Sequence, residues 1–287
     1  MPLHLPTLLT RTGSAIVFGA IMLAGLLWND AAFLALALLI HALCLRDYFC
    51  LMGKMDGAGT SSLTHIITQI AGGLWVLSAG LLALRLHRDL GPIPFRNEEP
   101  VFATFTVLVY PVTLLLLSGL TKRLTIQHAL TAFGGVAYIT LSILCLVLIR
   151  GRSPELPVAL IIMIWSNDTL AYLVGSLIGK TPFSPISPKK TWEGTAGGAI
   201  LTLVAAGVYA WYAHQSLAIY LGLALCATIA GTLGDLLESK LKRMAGVKDS
   251  GNLMPGHGGA LDRFDSLLVA TPFACCTIFV LQFLHAA

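Results

Sequence analysis

Between Gly234 and Ser266 the chain reads GDLLESKLKRMAGVKDSGNLMPGHGGALDRFDS and carries nearly a third of its charged residues, although charge makes up only 11% of the whole. If the apolar run before it continues as a helix, Asp235, Glu238, Ser239 and Lys242 share one face at i, i+3, i+4 and i+7. That face offers carboxylates to a divalent cation and an ammonium group to phosphate. Gly251, Pro255, Gly256, Gly258 and Gly259 then break the helix and let backbone N–H groups approach an anion. Asp262, Arg263 and Asp265 close the stretch. Carboxylates bracketing a glycine-rich loop, with Lys242, Arg243, Lys248 and Arg263 between them, suit a metal-bound polyphosphate, because magnesium is usually shared between one or two carboxylates and substrate phosphates. A charged loop can also be a solvated linker anchored to lipid headgroups. Asp235 argues against that: it lies inside the apolar run ATIAGTLGDLL, where an ionisable group needs a partner, a cation or a wet cavity.

A second polar cluster lies upstream. Asp168, Tyr172, Gly175 and Gly179 form a stripe at i, i+4, i+7 and i+11, and a buried acid by itself fits an interhelical hydrogen bond as well as a functional role. Beyond it, Ser184, Pro185, Ser187, Pro188, Lys189 and Lys190 form a segment that cannot be regular helix and that supplies hydroxyl and ammonium groups.

The elements that must position these groups are set by hydropathy. With 287 residues, 56% of them hydrophobic, and a mean hydropathy of +0.81, the chain reads as an integral membrane protein. The expected fold is all-α and polytopic, with about nine spans: Ser14 to Trp28, Ala31 to Leu45, Leu63 to Leu84, Val101 to Leu120, Ile126 to Ile149, Leu156 to Ile178, Gly194 to Ala213, Leu217 to Leu237, and Ser266 to Leu284. The first apolar stretch lacks a small-residue cleavage site, so the N-terminus is expected to stay. In this arrangement 13 of the 18 lysines and arginines fall on the N-terminal side, which puts the N-terminus and both polar clusters in the cytoplasm and the C-terminus outside. Residues 1–155 are expected to form about five N-terminal helices, and residues 156–287 a catalytic region with two cytoplasmic loops. The six cysteines show no CxxC or Cys/His spacing and read as packing material. A net charge of +4 gives no reason to expect a nucleic-acid partner, since basic residues also collect on cytoplasmic loops.

From Ser239 to Asp265 the chain resembles the signature of the phosphatidate cytidylyltransferases (CDP-diglyceride synthetases), roughly S-x-aliphatic-K-R, K-D, P-x-H-G-G and D-R-x-D. Ser239, Leu241, Lys242, Arg243, Lys248, Asp249, Gly251, Pro255, His257, Gly258, Gly259, Asp262, Arg263 and Asp265 match it; Met254 and Ala260 drift. The upstream cluster is similar to two further motifs of that family, through Asp168, Ala171, Tyr172 and Gly175, then Ser187, Pro188, Lys190, Thr191, Trp192, Glu193 and Gly194. Arg11 and the RDYF run from Arg46 to Phe49 resemble weaker family features, with Asp47 in place of a more usual glutamate. The likeness is specific in the C-terminal half and thin before about Leu156.

The resemblance implies transfer of CMP from CTP to phosphatidic acid, giving CDP-diacylglycerol and pyrophosphate, with Mg2+ as cofactor, in a bacterial-type inner membrane. It points to Asp235 and Asp262 as metal ligands, with Asp265 and Asp168 as weaker candidates. Lys242, Arg243, Lys248 and Arg263 would hold triphosphate or lipid phosphate beside Gly258 and Gly259, and Ser187, Lys189 and Lys190 would close the pocket. His257 either donates to a phosphate oxygen or braces the glycine turn, and Tyr172 and Trp192 either stack on cytosine or sit at the membrane interface. A second metal ion and a homodimer stay open; Gly197 and Gly198 allow close helix packing within or between chains. Two other readings compete. A CTP-dependent lipid-alcohol kinase needs the same groups but attacks the γ-phosphorus, and a transporter would use Asp168 and Asp235 along its path. The sidedness of the polar motifs disfavours transport.

Overall fold

The structure is a computed structural model, and it describes residues 17–56, 62–84, 126–251 and 258–286. Among these, seven helices are long and apolar enough to cross a membrane, so the chain is an all-α polytopic membrane protein. They follow an apolar helix, α1, described from Val17 to Leu27, within the short first span expected from Ser14 to Trp28. The seven are α2 (Asp30–Asp56), α3 (Ser62–Ala83), α4 (Ile126–Arg152), α5 (Glu155–Ile178), α6 (Trp192–Tyr212), α7 (Leu217–Met244) and α8 (Leu261–Ala286). The expected span from Val101 to Leu120 lies outside the described residues.

Two compact units form: Met1–Gly151 with Met244–Arg263, and Arg152–Arg243 with Phe264–Ala287. In the first, Asn29 caps α2 by accepting from the Ala32 N–H at 2.7 Å. The helix does not stop near Leu45, as its apolar run suggested, but continues to Asp56 and takes Arg46, Asp47 and Lys54 with it. Phe33, Leu45, Leu51, Ile139 and Ile143 are fully buried in this unit.

Arg150, almost fully buried at the end of α4, donates to Asp30 Oδ1 at 3.0 Å and to the Leu26 carbonyl at 2.8 Å, and its guanidinium lies 5.1 Å from the Phe33 ring centre. These bonds tie α4 to the α1–α2 corner. Arg150→Met is expected to cost about 2 kcal/mol, less than a fully buried pair because the Asp30 side chain keeps 40% of its exposure. Thermal unfolding in detergent measures it, and an unchanged Tm would show that the corner does not need the ion pair.

In the second unit α5 and α6 meet at near backbone distance. A Cβ on Gly194 would lie 2.6 Å from the Ala171 carbonyl oxygen, and one on Gly198 would lie 2.7 Å from the Ala171 nitrogen. Only glycine permits that approach. Between the two helices the proline-broken segment forms an antiparallel hairpin, β1 (Pro182–Ser184) and β2 (Ser187–Thr191), with Ser184 opposite Ser187 and Pro182 opposite Thr191. Thr191 ends the hairpin and caps α6 by accepting from the Gly194 N–H at 3.2 Å. The Glu193 carboxylate accepts from the Lys180 and Thr181 N–H groups and, at 2.8 Å, from the Thr181 hydroxyl, which pins the hairpin base to the first turn of α6.

Helix α7 contains a π turn at Cys226–Ala230. A π turn adds one residue to the helix, so everything after it is rotated by about 100° relative to an unbroken α-helix. Past this turn α7 continues to Met244, which places Asp235, Glu238, Ser239 and Lys242 on one continuous helix.

Candidate active site

The site in the second unit is built on α7, β2 and the start of α8. Asp235 and Glu238 come from α7 and Asp265 from α8, and one carboxylate oxygen from each lies within 4.8 Å of the others. Their meeting depends on Gly234, because a Cβ there would sit 2.5 Å from the Asp265 carbonyl oxygen. An all-oxygen donor set held this closely can take a hard cation. Glu238 is completely buried and Asp235 and Asp265 are half-buried.

Two of the acids carry lysine partners. Lys190 Nζ on β2 pairs with Asp235 Oδ2, and both side chains keep 28% of their exposure. Lys242 Nζ pairs with Glu238 Oε2 at 2.6 Å, one turn along the same helix. Ser239 Oγ donates to Asp235 Oδ1 at 3.4 Å, and Asp265 Oδ1 accepts from the Ser266 N–H at 2.7 Å. Such pairing lowers the cost of gathering like charges in a half-buried place.

Beside Asp235 opens a cavity of about 430 Å3, lined by Asp168, Tyr172 and Gly175 of α5 and by Ser187, Lys189 and Lys190 of β2. The two sequence clusters therefore meet within one unit. Asn167, which carried no sequence signal beyond its place before Asp168, also lines this cavity; it is buried, and its Oδ1 has no partner among the described residues. Tyr172 is 76% exposed, and Trp192 packs edge-on against Phe183 with ring centres 4.5 Å apart.

In the first unit Asp262 has a defined task. Its Oδ2 accepts from the Ser250 N–H at 2.9 Å, the Ser250 hydroxyl at 2.8 Å and the Gly259 N–H at 2.7 Å. Gly258 has φ of +85°, and a Cβ on it would approach Asp262 Oδ2 to 2.6 Å, so this turn requires glycine. Asp47 of α2 works alongside: its Oδ2 accepts from the Ala260 and Leu261 N–H groups at 2.6 and 3.2 Å, an acid placed at the N-terminus of α8. Sequence reading left Asp47 as a weak family feature. Arg243, Lys248 and Arg263 are exposed, and His257 lies outside the described residues.

The fold and the site define a class: a polytopic membrane protein with a cluster of carboxylates and lysines that can hold a metal ion beside a polar cavity. The chain belongs to the cytidylyltransferase family, which matches residues 9–281. It is 32% identical over 268 residues to the phosphatidate cytidylyltransferase of Staphylococcus haemolyticus (strain JCSC1435), covering 91% of this chain and 95% of the relative. Against the phosphatidate cytidylyltransferase of Staphylococcus aureus (strain COL) it is 35% identical over 203 residues, 69% of this chain and 75% of the relative. A shorter match of 115 residues is 52% identical to the phosphatidate cytidylyltransferase of Bacillus subtilis (strain 168), covering 39% of this chain and 43% of the relative.

Proposed function

We propose that the chain is a phosphatidate cytidylyltransferase that transfers CMP from CTP to phosphatidic acid, giving CDP-diacylglycerol and pyrophosphate. The observation that carries this reading is the family match over residues 9–281, and the close set of Asp235, Glu238 and Asp265 beside Lys190 and Lys242 fits it chemically. A phosphate oxygen of the lipid forms a bond to the α-phosphorus of CTP, and the bond from that phosphorus to the bridging oxygen of the β-phosphate breaks. No covalent enzyme nucleophile is needed, because the attacking oxygen is already ionised.

Asp235, Glu238 and Asp265 would hold Mg2+, which when bound offsets the negative charge of the triphosphate. Lys190 and Lys242 neutralise these acids in the structure described, and a cation held by the same acids would free their ammonium groups for phosphate oxygens. Lys189, Ser187, Asp168 and Tyr172 line the same cavity. Arg243, Lys248 and Arg263 add positive charge, while the Gly258 N–H group and His257 serve as donors for phosphate oxygens; the Gly259 N–H, a candidate donor by sequence, is instead held by Asp262 Oδ2. The catalytic region is residues 156–287, in a bacterial inner membrane, with the N-terminus and the site facing the cytoplasm, where CTP is found; the excess of lysine and arginine on that side supports the orientation.

Two roles for Asp262, bracing the loop and holding a cation, can be separated. Because its Oδ2 is engaged by three donors, Asp262→Asn is expected to lower turnover about 10^2-fold with no shift in the Mg2+ concentration that gives half-maximal rate. Restoration of rate at high Mg2+ would instead make Asp262 a metal ligand. The reaction itself is tested by incubating purified protein with CTP, Mg2+ and phosphatidic acid. CDP-diacylglycerol and pyrophosphate are the expected products; release of CDP would identify a kinase and overturn the proposal.

A further inference from the structure

A second recess lies in the first unit and shares no lining residue with the cluster of Asp235, Glu238 and Asp265. It measures about 350 Å3 and is lined by Arg46, Cys50 and Lys54 of α2 and by Ser250, Gly251 and Ala260 of the loop that Asp47 and Asp262 hold. Arg46, Cys50 and Lys54 are spaced i, i+4 and i+8 and all three are exposed. Neither cation belongs to an ion pair among the described residues. Asp47 also lines the recess; its Oδ2 accepts from the Ala260 and Leu261 N–H groups, and it forms no ion pair with Arg46 or Lys54 among the described residues. Arg46 stands where the apolar run of α2 gives way to a charged end that also carries Asp47, Lys54 and Asp56, and its exposed guanidinium is open to an anion.

The same face carries Leu39, which is 46% exposed, and Leu43, which borders the recess; they precede Arg46 by seven and three residues. One continuous stripe therefore runs from apolar to cationic. A nucleotide has no use for the apolar end, whereas a lipid phosphate with its acyl chain matches both. We propose that this recess binds the phosphate monoester headgroup of a phospholipid, with Arg46 and Lys54 on the phosphate and Leu39 and Leu43 along the chain. It rests on the cytidylyltransferase reading in one respect: the lipid bound there is the acceptor substrate.

Arg46→Gln and Lys54→Gln should each raise the KM for phosphatidic acid about tenfold while leaving the KM for CTP within about twofold, and Arg46→Lys should recover most of the loss. An unchanged KM for phosphatidic acid in both Gln variants would overturn the proposal. A measurement that needs no turnover uses Cys50, in a Cys276→Ser background because Cys276 is the other exposed cysteine. Phosphatidic acid in mixed micelles should slow maleimide labelling of Cys50 about tenfold, and CTP or phosphatidylglycerol should not. Protection by CTP would hand the recess to the nucleotide, and equal protection by phosphatidylglycerol would remove the preference for a monoester; either refutes the assignment. Protection by phosphatidic acid in a protein that makes no CDP-diacylglycerol would uphold the recess and reject the proposed reaction.

Discussion

Asp235→Asn is expected to lower turnover by at least about 10^3-fold, because losing one of a cation's carboxylates removes several kcal/mol of charge stabilisation and each 1.36 kcal/mol is tenfold in rate. The substitution is nearly isosteric and keeps an oxygen for the Ser239 hydroxyl, so helix α7 and membrane insertion should survive. It removes the negative partner of Lys190 as well as one carboxylate of the cluster that can hold a cation. Two measurements are needed: cytidylyl transfer, and Mg2+ binding by calorimetry on the purified protein. Turnover within a few-fold of the parent would take Asp235 out of the site altogether, and lost turnover with unchanged Mg2+ affinity would leave it a substrate contact only.

Lys190→Met is expected to act in two directions at once. Turnover should fall about 10^2-fold, since a fixed ammonium that helps to hold phosphate charge contributes on that scale. The Mg2+ concentration for half-maximal rate should fall too, because in the parent the Lys190 ammonium, paired with Asp235 Oδ2, would compete with a cation for that oxygen. A merely structural lysine would lower activity without moving that concentration downward. A rise in the Mg2+ requirement would show that Lys190 supports the cation instead of competing with it.

The sequence carried much of this site because its signals are local. Asp235, Glu238, Ser239 and Lys242 lie within two helical turns, so their common face follows from the 3.6-residue period once the helix continues to Met244. Asp168 with Tyr172, and Ser187 with Lys190, are likewise short-range patterns on α5 and β2. What the pattern could not separate was the pair Asp262 and Asp265, three residues apart on α8. Asp265 joins Asp235 and Glu238, while Asp262 Oδ2 accepts from Ser250 and Gly259. Glu238 stood on the right face, but nothing local distinguished a ligand from a charge pointing to solvent.

Helix ends were misjudged for a related reason. Hydropathy ends a span at the first charges, so α2 was expected to stop near Leu45; it continues to Asp56, and Asp47 within that extension accepts from two N–H groups at the start of α8. A π turn leaves no mark in apolar periodicity either, and the one at Cys226–Ala230 resets the face on which Asp235 lies.

By itself the sequence determined that the chain spans a membrane, which polar residues it keeps at spanning depth or beside it, and which of them share a helix face. Hydrophobicity and helical period are properties of neighbours along the chain, and they need no knowledge of the fold. Only the tertiary structure decided which acids meet, because Asp235 and Asp265 belong to different helices and their approach is set by Gly234 against the α8 backbone, a contact between residues about thirty positions apart.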